Sequence, residues 1–145
     1  MNMKYNLRST FLSMLMMVFL LSACTKQDAG AEVSLSYKML ADKTWYLEYA
    51  LVTTGANTVK KTYVGQSTYF INFLQNKTTT DSDGLTGTYY VEKPGSQLLI
   101  QVQAKTGGGN VSSYNYKVVS LGDKYMVLEN TTSAGKTQYY YSTQK

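Results

Sequence analysis

Apolar and polar positions alternate in short runs from Trp45 to the C-terminus. In 45–53 an apolar side chain stands at every second position, and 85–93 and 97–105 repeat the pattern. A period of two with one apolar face is typical of half-buried antiparallel strands. The pattern predicts eight strands and a closing ninth, at 45–53, 58–64, 67–75, 77–81, 85–93, 97–105, 111–120, 124–130 and 136–143.

Short turns rich in Gly, Asp and Asn separate these runs, as at 81–84, 93–96 and 107–110. Because the connections are short, sequential strands are expected to be neighbours, and closure of the sheet would remove its edges. The predicted fold is all-β: a single antiparallel up-and-down β-barrel of about eight to nine strands with a short N-terminal helix. An open meander or a two-sheet sandwich is the alternative.

The N-terminal segment has a different pattern. Lys4 and Arg8 precede an apolar stretch at 11–21, which is too short for a membrane span and predicts a signal peptide over 1–23. Leu21-Ser22-Ala23-Cys24 then resembles a bacterial lipobox, and Cys24 is the only cysteine, so it has no partner for an internal disulfide. We therefore expect acyl chains such as palmitate on Cys24. The alternative is an ordinary signal peptide with a chance cysteine.

Acyl chains on Cys24 would anchor the protein to the cell envelope. Lipoproteins kept at the inner membrane often have Asp after the cysteine; Thr25 stands there and favours the outer membrane. The small and polar residues 24–33 predict a flexible lipidated tether, and Ser34 is a candidate cap of a helix that ends near Ala41. The predicted barrel domain spans 34–145.

Several motifs resemble a known family. Leu40-x-x-x-Thr44-Trp45-x-Leu47 is similar to the start of a lipocalin-like domain. Phe73-Leu74-x-x-x-Thr78, Gly87-Thr88-Tyr89 and Tyr116-x-Val118-x-x-Leu121 resemble hairpins of small lipocalin-like lipoproteins of Bacteroidota. The resemblance implies a calyx. Two features differ from lipocalins: Lys43 stands where a glycine usually precedes the Trp by two positions, and the lipocalin disulfide is absent. These differences argue against the classical lipocalin ligands more than they argue against the barrel fold.

Composition narrows the chemistry. The chain has no histidine, which excludes Ser-His-Asp and Cys-His catalysis and histidine-based zinc sites. Glu48, Glu92 and Glu129 are expected on the outer face, so the sequence predicts no enzyme and no cofactor. Asp81-Ser82-Asp83-Gly84 fits a hairpin turn better than a calcium loop, because a distal Glu is missing. The scattered lysines form no basic cluster and argue against a nucleic-acid partner.

Tyrosine is the residue type that stands out, with 14 in the chain. A barrel of about eight strands is either filled by its own side chains or holds one small ligand. A wall of phenols and aliphatics suits a small hydrophobic or amphipathic molecule. The alternative is a filled barrel that binds an envelope protein or glycan through its loops, with Tyr46, Tyr90, Tyr125 and Tyr140 on the outside. The candidate interior residues are Trp45, Tyr49, Tyr69, Tyr89, Tyr114, Tyr116, Tyr139 and Tyr141.

Overall fold

The computed structural model describes residues 29–63, 69–105 and 109–144. The predicted signal peptide and Cys24 lie outside these residues. Among them no helix is long and apolar enough to cross a membrane. The elements are α1 (Ala29–Leu40), β1 (Lys43–Thr54), β2 (Asn57–Thr62), β3 (Phe70–Phe73), β4 (Thr78–Asp81), β5 (Thr86–Glu92), β6 (Leu99–Lys105), β7 (Val111–Leu121), β8 (Tyr125–Thr132) and β9 (Gly135–Ser142).

The strands form a closed antiparallel barrel, which confirms the predicted fold class. From β3 to β9 each strand pairs with the next in the chain, and β9 returns to pair with β1. The other edge of β1 pairs with β3 over 43–46 and with β2 over 49–54. Because β2 and β3 lie end to end along one edge of β1, eight strands close the barrel and β2 is an extra strand.

Helix α1 packs against the end of the barrel at which β1 begins, which we call the closed end. Val33, Tyr37 and Leu40 lie at helical spacing and contact the core. The Trp45 indole Nε1–H donates a hydrogen bond of 3.1 Å to the Leu40 carbonyl, where the helix ends. The opposite end of the barrel, which we call the rim, carries the turns at 55–56, 82–85 and 133–134.

The helix begins five residues earlier than predicted, so residues 29–33 of the predicted tether are helical. Two interactions hold this first part. Val33 packs on the core, and Glu32 forms an ion pair with Lys93, which follows β5. An acidic side chain in the first turn also interacts favourably with the helix dipole.

The core fills the closed half of the barrel. Its fully buried members are large and mostly apolar, and among the described residues no buried side-chain polar atom lacks a hydrogen-bond partner. A filled floor of this kind separates α1 from the half of the barrel near the rim. The residues of the floor are Leu40, Trp45, Phe73, Tyr89, Ile100, Met126 and Leu128.

Candidate functional site

Two of the candidate interior residues belong to the filled floor. Trp45 is fully buried and bonded to Leu40. Tyr89 is fully buried, with its ring 4.9 Å from that of Phe73, and its hydroxyl donates a 3.1 Å hydrogen bond to the Leu74 carbonyl. Burial raises the pKa of Tyr89 to about 12. Both side chains are therefore structural parts of the floor.

Four candidates form a continuous group on the inner wall of β7 and β9. The rings of Tyr114 and Tyr116 lie 6.4 Å apart, those of Tyr116 and Tyr139 lie 6.0 Å apart, and those of Tyr139 and Tyr141 lie 6.5 Å apart. Strand register places them inward, since Tyr116 lies opposite the buried Ile100. The structure thus brings these four predicted residues together.

Two further tyrosines extend this group to the rim. The Leu47 N–H donates a 2.9 Å hydrogen bond to the Tyr69 carbonyl, which continues the β1–β3 register and puts Tyr69 on the inner face. Its ring lies 4.8 Å from that of Tyr63. Sequence analysis missed Tyr63, although Val59, Lys61 and Tyr63 stand at every second position and therefore share one face of the strand. We call Tyr63, Tyr69, Tyr114, Tyr116, Tyr139 and Tyr141 the phenol cluster.

Exposure changes along the phenol cluster. Tyr69 and Tyr114 are 41% and 42% exposed, whereas Tyr116, Tyr139 and Tyr141 are half-buried. Loss of hydration is the main cause that raises the pKa values of these three phenols, and neighbouring tyrosines add to it. The three hydroxyls are therefore neutral near pH 7 and able both to donate and to accept hydrogen bonds.

Asp81 also faces the lumen, which sequence analysis did not foresee. It lies opposite Ile71, two positions beyond the buried pair of Phe73 and Thr79, so its side chain shares their face. Its charge contributes to the raised pKa values of Tyr116 and Tyr141.

The Asp81 carboxylate also organises the β4–β5 turn. Its Oδ1 accepts hydrogen bonds of 3.0 Å from the N–H groups of both Asp83 and Leu85. Gly84 has a φ of +74° and donates to the Asp81 carbonyl at 3.1 Å. Within the described residues no three His, Cys, Asp or Glu side chains are grouped as metal ligands would be.

The prediction for Tyr49 is wrong. Between Leu47 and Tyr49 the β1–β9 register shifts at a bulge that contains Glu48. An extra residue reverses which side chains point inward. Ala50 is therefore buried inside, opposite Tyr139, and Tyr49 lies outside, with its ring stacked 4.2 Å from that of Tyr140. The Lys60 ammonium covers the Tyr49 ring at 4.1 Å.

Two of the glutamates predicted on the outer face have partners there. Glu92 accepts a 2.9 Å hydrogen bond from Gln101. Glu129 accepts one of 2.8 Å from Gln138 and forms an ion pair of 3.4 Å with Lys136. The hydrogen bond from Gln138, together with Lys136, lowers the pKa of Glu129. These contacts give both carboxylates a structural role on the barrel wall.

No family model matches the chain, and no curated protein and no solved structure matches it either. The geometry of the barrel is therefore the basis for assigning a function. That geometry combines a closed antiparallel wall, a filled floor and a lining of phenols that reaches the rim.

Proposed function

We propose that this protein is a lipid-anchored lipoprotein of the cell envelope. Its lipocalin-like barrel binds a small hydrophobic or amphipathic molecule without catalysis. The observation that carries the proposal is the phenol cluster, which runs from exposed rings at the rim to half-buried rings inside the barrel. Phenols contact apolar groups through their ring faces and polar groups through their hydroxyls.

Barrel size and the lining both support a guest. An eight-stranded barrel is wide enough for one small ligand if its wall leaves room. In the half near the rim, Ala50, Ala104 and Ser112 stand at inward positions between larger residues. These small side chains take up less of the interior than the bulky ones of the floor, although Ala50 and Ala104 are themselves buried by their neighbours.

Anchoring is the second part of the proposal. Only four residues separate Cys24 from Ala29, where α1 begins. A lipidated Cys24 would therefore hold the closed end near the membrane and leave the rim turned away. Cys24→Ala is expected to abolish incorporation of labelled palmitate and to release the protein from the membrane fraction. Unchanged membrane retention of this variant would overturn the anchor.

Native mass spectrometry tests ligand binding. The sample is the mature chain, residues 24–145 with Cys24→Ser, which retains every described residue and needs no detergent. We expect a small-molecule adduct after incubation with a lipid extract of the source cells, and its loss on denaturation. A clean apo mass after this incubation would contradict the ligand-binding proposal.

The second candidate is an interaction module that binds an envelope protein or glycan. Two features on the outside of the barrel favour it. All six residues of β2 are exposed, and β1 is the one strand that pairs with β2 among the described residues. A groove of about 490 Å³ also runs between α1, residues 96–98 before β6, and the end of β7, lined by Leu35, Met39 and Leu98 among others. An apo mass combined with binding to a purified envelope glycan or protein would favour this candidate.

A further inference from the structure

The strand register shows which charged side chains of the barrel wall point inward. By register, Asp81 is the charged side chain that β3 to β9 turn into the half of the barrel near the rim. Lys43 shares the inner face of β1, but it lies at the closed end beside the floor, where it forms an ion pair of 3.4 Å with Asp123. Lys105, Lys117, Glu129 and Lys136 each alternate with inward residues and lie on the outer face. The charge that the half near the rim turns inward is therefore that of a carboxylate, and it contributes to the raised pKa values of Tyr116 and Tyr141.

One basic group lies near the rim on the inner side. Lys61 of β2 shares a register row with the buried Ala50, which pairs with Tyr139. Lys61 is exposed, however, and salt screens an exposed charge far more than a charge inside the barrel. Its effect on the interior is therefore weak beside that of Asp81.

The two oxygens of the Asp81 carboxylate differ in their hydrogen bonds. Both of its hydrogen bonds from described residues go to Oδ1, which leaves Oδ2 without a donor among them. The rings that line the lumen add a second attraction for positive charge, since ring faces of tyrosine bind ammonium groups and bind them more strongly when water is excluded. Phenol rings and a carboxylate on one lumen wall favour the same kind of ligand head.

We infer that the barrel selects a ligand whose polar end is a positively charged ammonium or quaternary ammonium group, and that Asp81 is the residue that sets this preference. The inference rests on the proposed ligand binding and adds the charge of the ligand. An anionic head would meet repulsion from Asp81, and a neutral head would lack the attraction of both the carboxylate and the rings.

Three probes with the same twelve-carbon chain test the inference: dodecyltrimethylammonium, dodecanol and laurate. Each is titrated by calorimetry, below its micelle concentration, into the mature chain with Cys24→Ser. We expect the ammonium probe to bind at least about tenfold more tightly than the others, which corresponds to about 1.4 kcal/mol.

Asp81→Asn is the decisive variant, because the amide oxygen still accepts the two N–H groups of the turn while the charge is lost. Asp83→Asn is the matched control, since it removes the same charge from an exposed position in the same turn. Thermal unfolding of both variants, followed by Trp45 fluorescence, establishes that they fold. Asp81→Asn should abolish the preference for ammonium, and Asp83→Asn should retain it.

The outcomes separate the two proposals. Equal or tighter binding of laurate or dodecanol would overturn the charge preference and leave ligand binding in place. A preference that persists in Asp81→Asn would overturn the role of Asp81. Failure of all three probes, in a protein that also stays apo after incubation with lipid extract, would overturn ligand binding itself and the inference with it.

Discussion

A hydrogen bond between the helix and the barrel wall offers a sharp test of the structure. β4 pairs with β5 only over 86–88, after which the Tyr89 N–H reaches the Lys77 carbonyl. Further along, the N–H of the buried Val91 donates to the Tyr37 hydroxyl of α1 at 2.9 Å. The helix thus supplies the acceptor that β4 is too short to provide.

Tyr37→Phe removes this acceptor and little else. The ring remains available to pack 5.6 Å from that of Tyr89, and the Lys77 ammonium still has an aromatic face 5.1 Å away. Leaving the Val91 N–H unsatisfied inside the protein is expected to lower the free energy of unfolding by about 1–3 kcal/mol.

Urea unfolding followed by fluorescence measures this loss, because Trp45 is the single tryptophan and is fully buried. With an m-value of about 1–3 kcal/mol/M, the midpoint should fall by roughly 1 M. Tyr125→Phe makes the same chemical change at a residue that is 60% exposed, and should alter stability by less than about 0.5 kcal/mol. Equal midpoints for the two variants would refute the position of α1 on β5.

Three other predictions concern the barrel wall and its titrating groups. Gly87→Ala would place a Cβ 2.1 Å from a backbone oxygen of β6 and should lower the urea midpoint markedly, whereas at Gly122 the nearest atom is 3.8 Å away and Ala should be tolerated. The pKa of Glu129 is lowered in the folded state, so its contribution to stability is present above about pH 4.3 and is lost on acidification; Glu129→Gln should flatten the acid side of the stability profile, and an unchanged profile would contradict this. The pKa values of Tyr116 and Tyr141 are raised by folding, so stability should fall as pH rises above about 10, with phenolate absorbance from both residues delayed until the barrel unfolds. Full phenolate absorbance from a still-folded barrel near pH 10 would contradict the burial of these two tyrosines.

The strand order of the barrel was predictable because most strands keep a strict period of two. The bulge at Glu48 was not, because the residues on both sides of β1 beyond it are apolar. Tyr49 and Leu51 continue the apolar pattern of Trp45, but Ala50 and Val52 fit an inner wall equally well. A pattern with two apolar faces does not fix which face is buried, so pairing with β9 decides.

Tertiary contacts explain two further differences from the sequence analysis. The run Ala29-Gly30-Ala31 has the composition of a tether, yet the ion pair between Glu32 and Lys93 and the packing of Val33 extend the helix through it. The sequence predicted Asp81 to be part of a hairpin turn, and its carboxylate does accept hydrogen bonds from that turn. It is also the last residue of β4, and only the register with β3 reveals that it points inward.

The contrast between the two halves of the barrel bears on whether the interior is merely filled. The floor is mostly apolar, and its two members with a polar group, Trp45 and Tyr89, each donate a hydrogen bond to a backbone carbonyl. Buried phenols do need such partners, so a barrel selected only for stability gains little by replacing aliphatic side chains with tyrosines near its rim. The phenol cluster nevertheless extends from Tyr116 and Tyr141, which pack against the floor, to Tyr69 and Tyr114, which are partly exposed, and Asp81 also lies on the inner face. Polar groups in that position are useful to a guest that has both an apolar body and a charged end, and this is the physical reason to look for such a guest first.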